Sequence, residues 1–302
     1  MKRWETMKNK CLKLYCLTLL LLLTIPVRGQ LLYQITGNGA LDKSFIFATN
    51  NLTDITFLDS IPGVFAAFGH SNKVITEFVM LDYEATNALR TTALLPDSVR
   101  LKDFFSENEW QQMDEALRLT LGMGWEKLVA MKPQYITEMY RNELFRKWAG
   151  YDESRSVLHF FENVASQQNM PVYGLDDIGE ALYMMFDREP LYFQAQELLK
   201  ITQTPEREVS QEKAIRNLYK QGRLLDIVYL ISSPDNHTTV SYSDYKVFCA
   251  RNKEWAKRLG PYLRDGKAFI CINAIYLGGD DGLLAELRKE GYRVKKYRVQ
   301  AH

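Results

Sequence analysis

The sequence predicts an α/β fold whose central mixed sheet is assembled from the N- and C-terminal segments of the chain, with a helical insertion between them. Short apolar, strand-like runs occupy residues 31–51 and 73–81, and residues 103–193 change to helical spacing. The chain then closes with a strand, turn, helix and strand over residues 267–299.

The first run, LLYQITGNGALDKSFIFATNN, reads as two strands joined by the turn Gly37-Asn38-Gly39. KVITEFVML, residues 73–81, lacks clean alternation, as expected of a strand covered on both faces, and it places Glu77 inside that strand. Ser106 three residues before Glu109 is a capping-box signature, and helical spacing follows through Leu121. Lys132-Pro133 marks a helix boundary, and helices are expected over 131–148 and 153–169. MPVYGL, residues 170–175, is a short strand bounded by Asn169 and by Asp176-Asp177. Residues 201–213 are polar and suit a surface linker or a helix start, and one helical stretch follows over 214–231. A polar loop at 232–239 leads to a helix over 245–263, then strand 267–277, turn 278–282, helix 283–291 and strand 292–299. The helical insertion is expected at about residues 103–200.

Residues 1–29 have a basic start, an apolar run from about Leu14 to Val27 and a short polar end, which is the layout of a secretory signal. The apolar run is shorter than the ~20 residues that span a bilayer. Cleavage is therefore expected before Gln30, leaving one domain over 30–302, an exported protein in the periplasm or outside the cell, and no stable membrane anchor. The signal holds six of the 38 basic residues and one of the 37 acidic ones, so the mature chain has 32 against 36 and a net charge of about −4. Such a balance, without basic blocks, excludes a nucleic-acid binder of the usual kind. Cys249 and Cys271 remain after cleavage, and either a disulfide or two small buried residues fits them.

Several segments, in order, carry a resemblance: SFIFATNN (44–51), VITEFVMLD (74–82), MKPQYITEM (131–139), PVYGLDD (171–177), LYKQGRL (218–224), ARNKEWAKRL (250–259) and FICINAIYLGGDDGLLAELRKEGYRV (269–294). Together they resemble the TraB/GumN family, which includes the Tiki metalloproteases and is related in fold to the erythromycin-esterase and ChaN-like proteins. The resemblance implies that fold, and a metal-dependent protease or hydrolase site built on a Gly-Thr-x-His motif, a glutamate after it, and a late Gly-Ala-x-His motif.

This chain departs from that pattern. The first motif reads Ala48-Thr49-Asn50-Asn51 and the second Asn273-Ala274-Ile275-Tyr276, while the matching Glu77 and the pair Arg251-Asn252 are kept. The resemblance thus places Asn51, Glu77, Arg251, Asn252 and Tyr276 around one ligand-binding cleft, with Glu77 and Arg251 as catalytic residues only if the protein is active. A neutral amide and a mostly protonated phenol are poor substitutes for imidazole, so no metal and no cofactor are expected, although family members are thought to use a divalent ion. His70, His159, His237 and His302 lie outside the motifs and show no ligand spacing. Glu77 reads either as a pocket carboxylate or as the partner of Arg251 in an ion pair.

The implied function is a catalytically degenerate, exported member of the family whose cleft takes a peptide or small molecule. Two alternatives stay open: an active metal-dependent hydrolase using Glu77 with substitute ligands, and a haem or metal carrier through Tyr276. No Ser-His-Asp or Cys-His arrangement, Walker loop or dinucleotide fingerprint occurs in the sequence.

Overall fold

A computed structural model describes residues 30–79, 83–150, 155–232 and 242–297. Its sheet has six strands: β1 Leu32–Gly37, β2 Ser44–Thr49, β3 Lys73–Thr76, β4 Val172–Gly174, β5 Ala268–Asn273 and β6 Tyr292–Lys296, in the order β4-β3-β5-β2-β1-β6. β4, β3, β5 and β2 are mutually parallel, and β1 runs against β2 and β6 on either side of it. The mixed sheet from both chain ends is therefore observed, and the chain has an α/β fold. The expected βαβ ending is also present, with β6 placed beyond β2 and β1.

Side chains explain this order. All six residues of β2 are buried, as are the first five of β5, so both faces of these central strands must be covered by helices. On one face Phe47 of β2 and Phe269 of β5 meet Phe161 of α6 (Val157–Gln167) and Phe68 of α1 (Val64–His70), with Phe161 centred 4.7 Å from Phe269 and 5.1 Å from Phe68. The Tyr219 hydroxyl donates to the Ala48 carbonyl at 2.9 Å. The Gly37-Asn38-Gly39 turn forms as read, with all three residues at positive φ and the Asn38 amide donating to the Glu290 carbonyl at 2.7 Å.

Helices α2 (Tyr83–Thr92), α3 (Glu107–Leu121), α4 (Trp125–Leu128), α5 (Pro133–Ala149) and α8 (Leu191–Gln203) stand apart from the sheet strands in sequence. Residues of α3, α4, α5 and α8 have a separate hydrophobic cluster including Leu117, Leu128, Ile136, Tyr140 and Leu198. Ser106 and Glu109 make the capping box predicted for α3. Trp110 and Trp125 stack with ring centres 4.1 Å apart. The helical region is interrupted by α6 and β4, which return to the sheet, and α7 (Ile178–Leu182) follows them.

Three local readings change. The stretch 201–213, read as a surface linker or a helix start, is helical except at Thr204, because Pro205 opens α9 (Pro205–Lys220) where its missing N–H costs nothing. The single helix expected over 214–231 divides at Gly222, φ +65°, into α9 and α10 (Leu224–Ser232). β3 ends at Thr76, so Glu77 lies just past the strand and not within it. Cys249 and Cys271 are not joined by a disulfide, and Cys271 lies fully in the core. The signal reading and the polar loop at 233–239 fall outside the described residues.

The chain ends through α11 (Tyr242–Arg258), α12 (Gly260–Asp265), β5, and α13 (Leu283–Lys289) before β6. Gly282 caps α13, and a methyl group there would run into the carbonyl oxygens of Gly278 and Leu277. Gly282→Ala is expected to destabilise the protein by about 2 kcal/mol or more, because these contacts are backbone and cannot rotate away. Urea denaturation checks this; a change under about 0.5 kcal/mol contradicts it.

Candidate functional site

The parallel strands end together at one edge, where the turns after β2, β3, β4 and β5 carry Asn50-Asn51, Glu77, Asp176 and Asn273–Tyr276. Such an edge is the usual crevice of open α/β sheets. Helix α11 lies over it with Phe248, Arg251, Asn252 and Trp255 at helical spacing, so these side chains share one face.

Arg251 is the centre of the arrangement. Its side chain is 13% exposed, and its Nε donates to Asp176 Oδ2 at 2.7 Å, with a terminal nitrogen against the same oxygen. The other terminal nitrogen donates to the Tyr276 hydroxyl at 3.1 Å, and the guanidinium carbon lies 4.4 Å from the Trp255 ring centre. Asp176 is 8% exposed, and its Oδ1 accepts two further N–H groups, from Trp255 Nε1 at 2.6 Å and from Arg258 at 3.2 Å, while its own N–H donates to the Glu77 carbonyl at 2.8 Å. Arg258 also donates to both oxygens of Glu180, at 2.6 and 2.7 Å, which holds that carboxyl down at about 2.

Glu77 is half-buried as a residue, and its Oε1 accepts the Asn273 N–H at 2.7 Å. Burial raises its carboxyl, with the Asn273 N–H and Arg251 opposing and Asp176 adding to the rise. Asn273 in turn caps the short turn Ala274–Tyr276, accepting the Ile275 N–H at 3.2 Å. That turn presents Tyr276, which is 7% exposed and packed edge-on to Phe248 at 4.8 Å and Trp255 at 5.0 Å. Burial, first, and Glu77 push the phenol far above its ordinary value, against the pull of Arg251.

Glu77, Arg251 and Tyr276 thus come together from three segments. Asn252 is buried beside them but turns to the Asp281 carbonyl at 3.0 Å, leaving its Oδ1 without a partner among the described residues. Asn51 is exposed at the start of the turn after β2, while its neighbour Asn50 is buried and organises that turn. The ion pair read between Glu77 and Arg251 is not formed. With β3 ending at Thr76, Glu77 turns to the end of β5, and Arg251 takes Asp176 instead. Asp176, Trp255 and Arg258 are the residues the sequence reading passed over. The Asp176-Asp177 doublet after a strand, and the aromatic and cation four and seven positions after Arg251, were the available signals.

Beside this cluster a cleft of 570 Å³ opens, lined by Val79, Glu84, Ala85, Asp177, Ile178 and Arg258 among others. Across the whole of this architecture, residues 31–296 match the model of the TraB/PrgY/gumN family. The chain belongs to the TraB/PrgY/gumN family. No curated protein and no solved structure matches it. Among the described residues of this TraB/PrgY/gumN chain, no three His, Cys, Asp or Glu side chains converge as a metal-holding group, and no helix is long and apolar enough to cross a membrane.

Proposed function

We propose that this is an exported member of the TraB/PrgY/gumN family that binds a peptide or small molecule at the cleft beside Arg251 and Asp176, and that its ancestral metal-dependent hydrolase chemistry has been lost. The observation that carries the reading is Tyr276, which stands where the family resemblance implies an imidazole and whose buried hydroxyl accepts from Arg251 at 3.1 Å.

The residues present do not fit a catalytic divalent metal. Of the candidates, Tyr276 is a buried phenol whose oxygen already accepts from Arg251, and Asn51 is a neutral amide. The remaining carboxylate, Glu77, is engaged by a peptide N–H and favoured in its neutral form by burial. The same phenol argues against an axial haem ligand, since a phenolate is needed for that role and burial opposes it. No reaction step is therefore assigned to Glu77.

Elemental analysis of the purified mature protein is expected to find no stoichiometric zinc, manganese or cobalt, and digestion of a peptide library is expected to show no chelator-sensitive cleavage. Such cleavage, abolished by Glu77→Gln, would overturn the reading. Panning the same library for binding tests the other half: peptides retained by the wild type are expected to be lost by Glu84→Arg, a change at an exposed residue on the cleft wall. Retention of nothing by either protein contradicts the peptide arm.

A further inference from the structure

The walls of the 570 Å³ cleft come from separate parts of the chain: Glu84 from α2, Asp177 from the turn after β4, Glu180 from α7 and Arg258 from α11. Helix α2 packs against α7, whose first residue follows Asp177, so Glu84 and Asp177 border the same space. The volume is that of a small-ligand or peptide subsite. Some charged groups on these walls are already matched within the protein and others are not. The unmatched ones decide which ligand the space accepts.

The cations are matched. One terminal nitrogen of Arg258 donates to the Leu175 carbonyl at 2.8 Å as well as to Asp176 and Glu180. Its other terminal nitrogen donates to Glu180 at 2.7 Å, and Nε donates to Glu254 at 3.4 Å. Arg251, behind the wall, is committed in the same way to Asp176 and Tyr276. Every nitrogen of both guanidinium groups thus has a protein acceptor, and an anionic ligand would have to displace a protein carboxylate to gain a fork. The acidic side differs. Asp176 and Glu180 are neutralised by these two arginines, whereas Glu84 and Asp177 are exposed and neither is ion-paired among the described residues. Asp177 Oδ1 accepts the Glu180 N–H at 2.8 Å as the cap of α7, and a carboxylate keeps a second oxygen for a ligand. Val79 and Ile178, both half-buried, add aliphatic surface to the same lining. Aliphatic surface with two unmatched negative charges complements a side chain that has an apolar stem and a cationic end.

We propose that the cleft selects peptides by a lysine or arginine side chain, whose cationic end is held by Glu84 and Asp177 and whose stem lies along Val79 and Ile178. This rests on the reading of the cleft as a peptide site and adds the charge of what it takes. A glutamate side chain in the same place would bring a third negative charge against two that have no partner, and is rejected. Each carboxylate is exposed, so one contact alone contributes little. Selectivity comes from the pair acting together in a concave site, and it weakens as salt screens both charges.

Fluorescence anisotropy with labelled peptides of one sequence, blocked at both ends and carrying a central Lys, Arg, Gln or Glu as the sole variable charge, tests this. The wild type is expected to bind the Lys and Arg peptides about tenfold more tightly than the Gln peptide, and the Glu peptide most weakly. That preference is expected to shrink severalfold between about 20 mM and about 300 mM salt. Glu84→Gln and Asp177→Asn are each expected to reduce the preference about threefold and together to abolish it, and asparagine keeps the cap of α7. A wild type that binds the Gln peptide as tightly as the Lys peptide overturns the proposal; loss of that binding in Glu84→Arg would leave the cleft standing as a peptide site. A Lys preference that persists in the double variant places the cation elsewhere and also overturns it. Binding of no peptide in the panel overturns the proposal and the peptide reading together.

Discussion

Arg251→Met is expected to lower the unfolding free energy by about 3–5 kcal/mol, the largest effect of any single change at the sheet edge. The guanidinium and the Asp176 carboxylate are both largely buried, at 13% and 7% side-chain exposure, so solvent cannot take over the lost bonds. Removing it leaves the Asp176 Oδ2 atom and the Tyr276 hydroxyl without their donor, and Glu77 without its nearest positive field. Arg251→Lys is expected to recover less than half of the loss. An ammonium cannot bond Asp176 and Tyr276 together in one plane and lie flat on Trp255. The double change Arg251→Met with Asp176→Asn should return much of the stability, because it removes the buried charge along with its partner. Chemical denaturation of the three variants decides this. A single-variant loss under about 1 kcal/mol would mean that the cluster is solvated and that Arg251 is not its centre.

The strand order around this cluster was legible only in part. Alternation-free apolar runs revealed the covered strands, and Ser106 with Glu109 revealed the start of α3. The end of β3 was not legible, because Glu77 is followed by Phe78 and Val79, which continue the apolar run. The structure ends the strand at Thr76, whose hydroxyl donates to the Phe78 carbonyl at 2.9 Å, a local bond that competes with further pairing. Ending the strand there and not at residue 81 turns Glu77 away from Arg251 to the Asn273 N–H. Likewise the motif comparison drew attention to Asn51, yet Asn50 is the residue whose side chain is buried and bonded. A tertiary bond such as that from Tyr219 to the Ala48 carbonyl, 171 positions apart, leaves no local signature at either end.

Glu212→Gln is expected to flatten the dependence of stability on pH. In the unfolded chain the Glu212 carboxyl loses its proton near the ordinary 4.5, and in the folded protein near 7. Between these values the unfolded state binds fewer protons than the folded one, so stability falls as pH rises through this window and is level above it. Full expression of that difference is worth about 3 kcal/mol, and water reaching the partly exposed side chain reduces it to about 2 kcal/mol. Glutamine keeps the shape and cannot ionise, so the variant should match the wild type to within about 1 kcal/mol near pH 5 and exceed it by about 2 kcal/mol near pH 8. Glu77, raised in the same direction by burial, adds a slope that both proteins share, and the difference between them isolates Glu212. Urea titrations at a series of pH values measure it directly. Parallel curves for the two proteins would show that Glu212 is already ionised in the fold at neutral pH and that burial does not hold its proton.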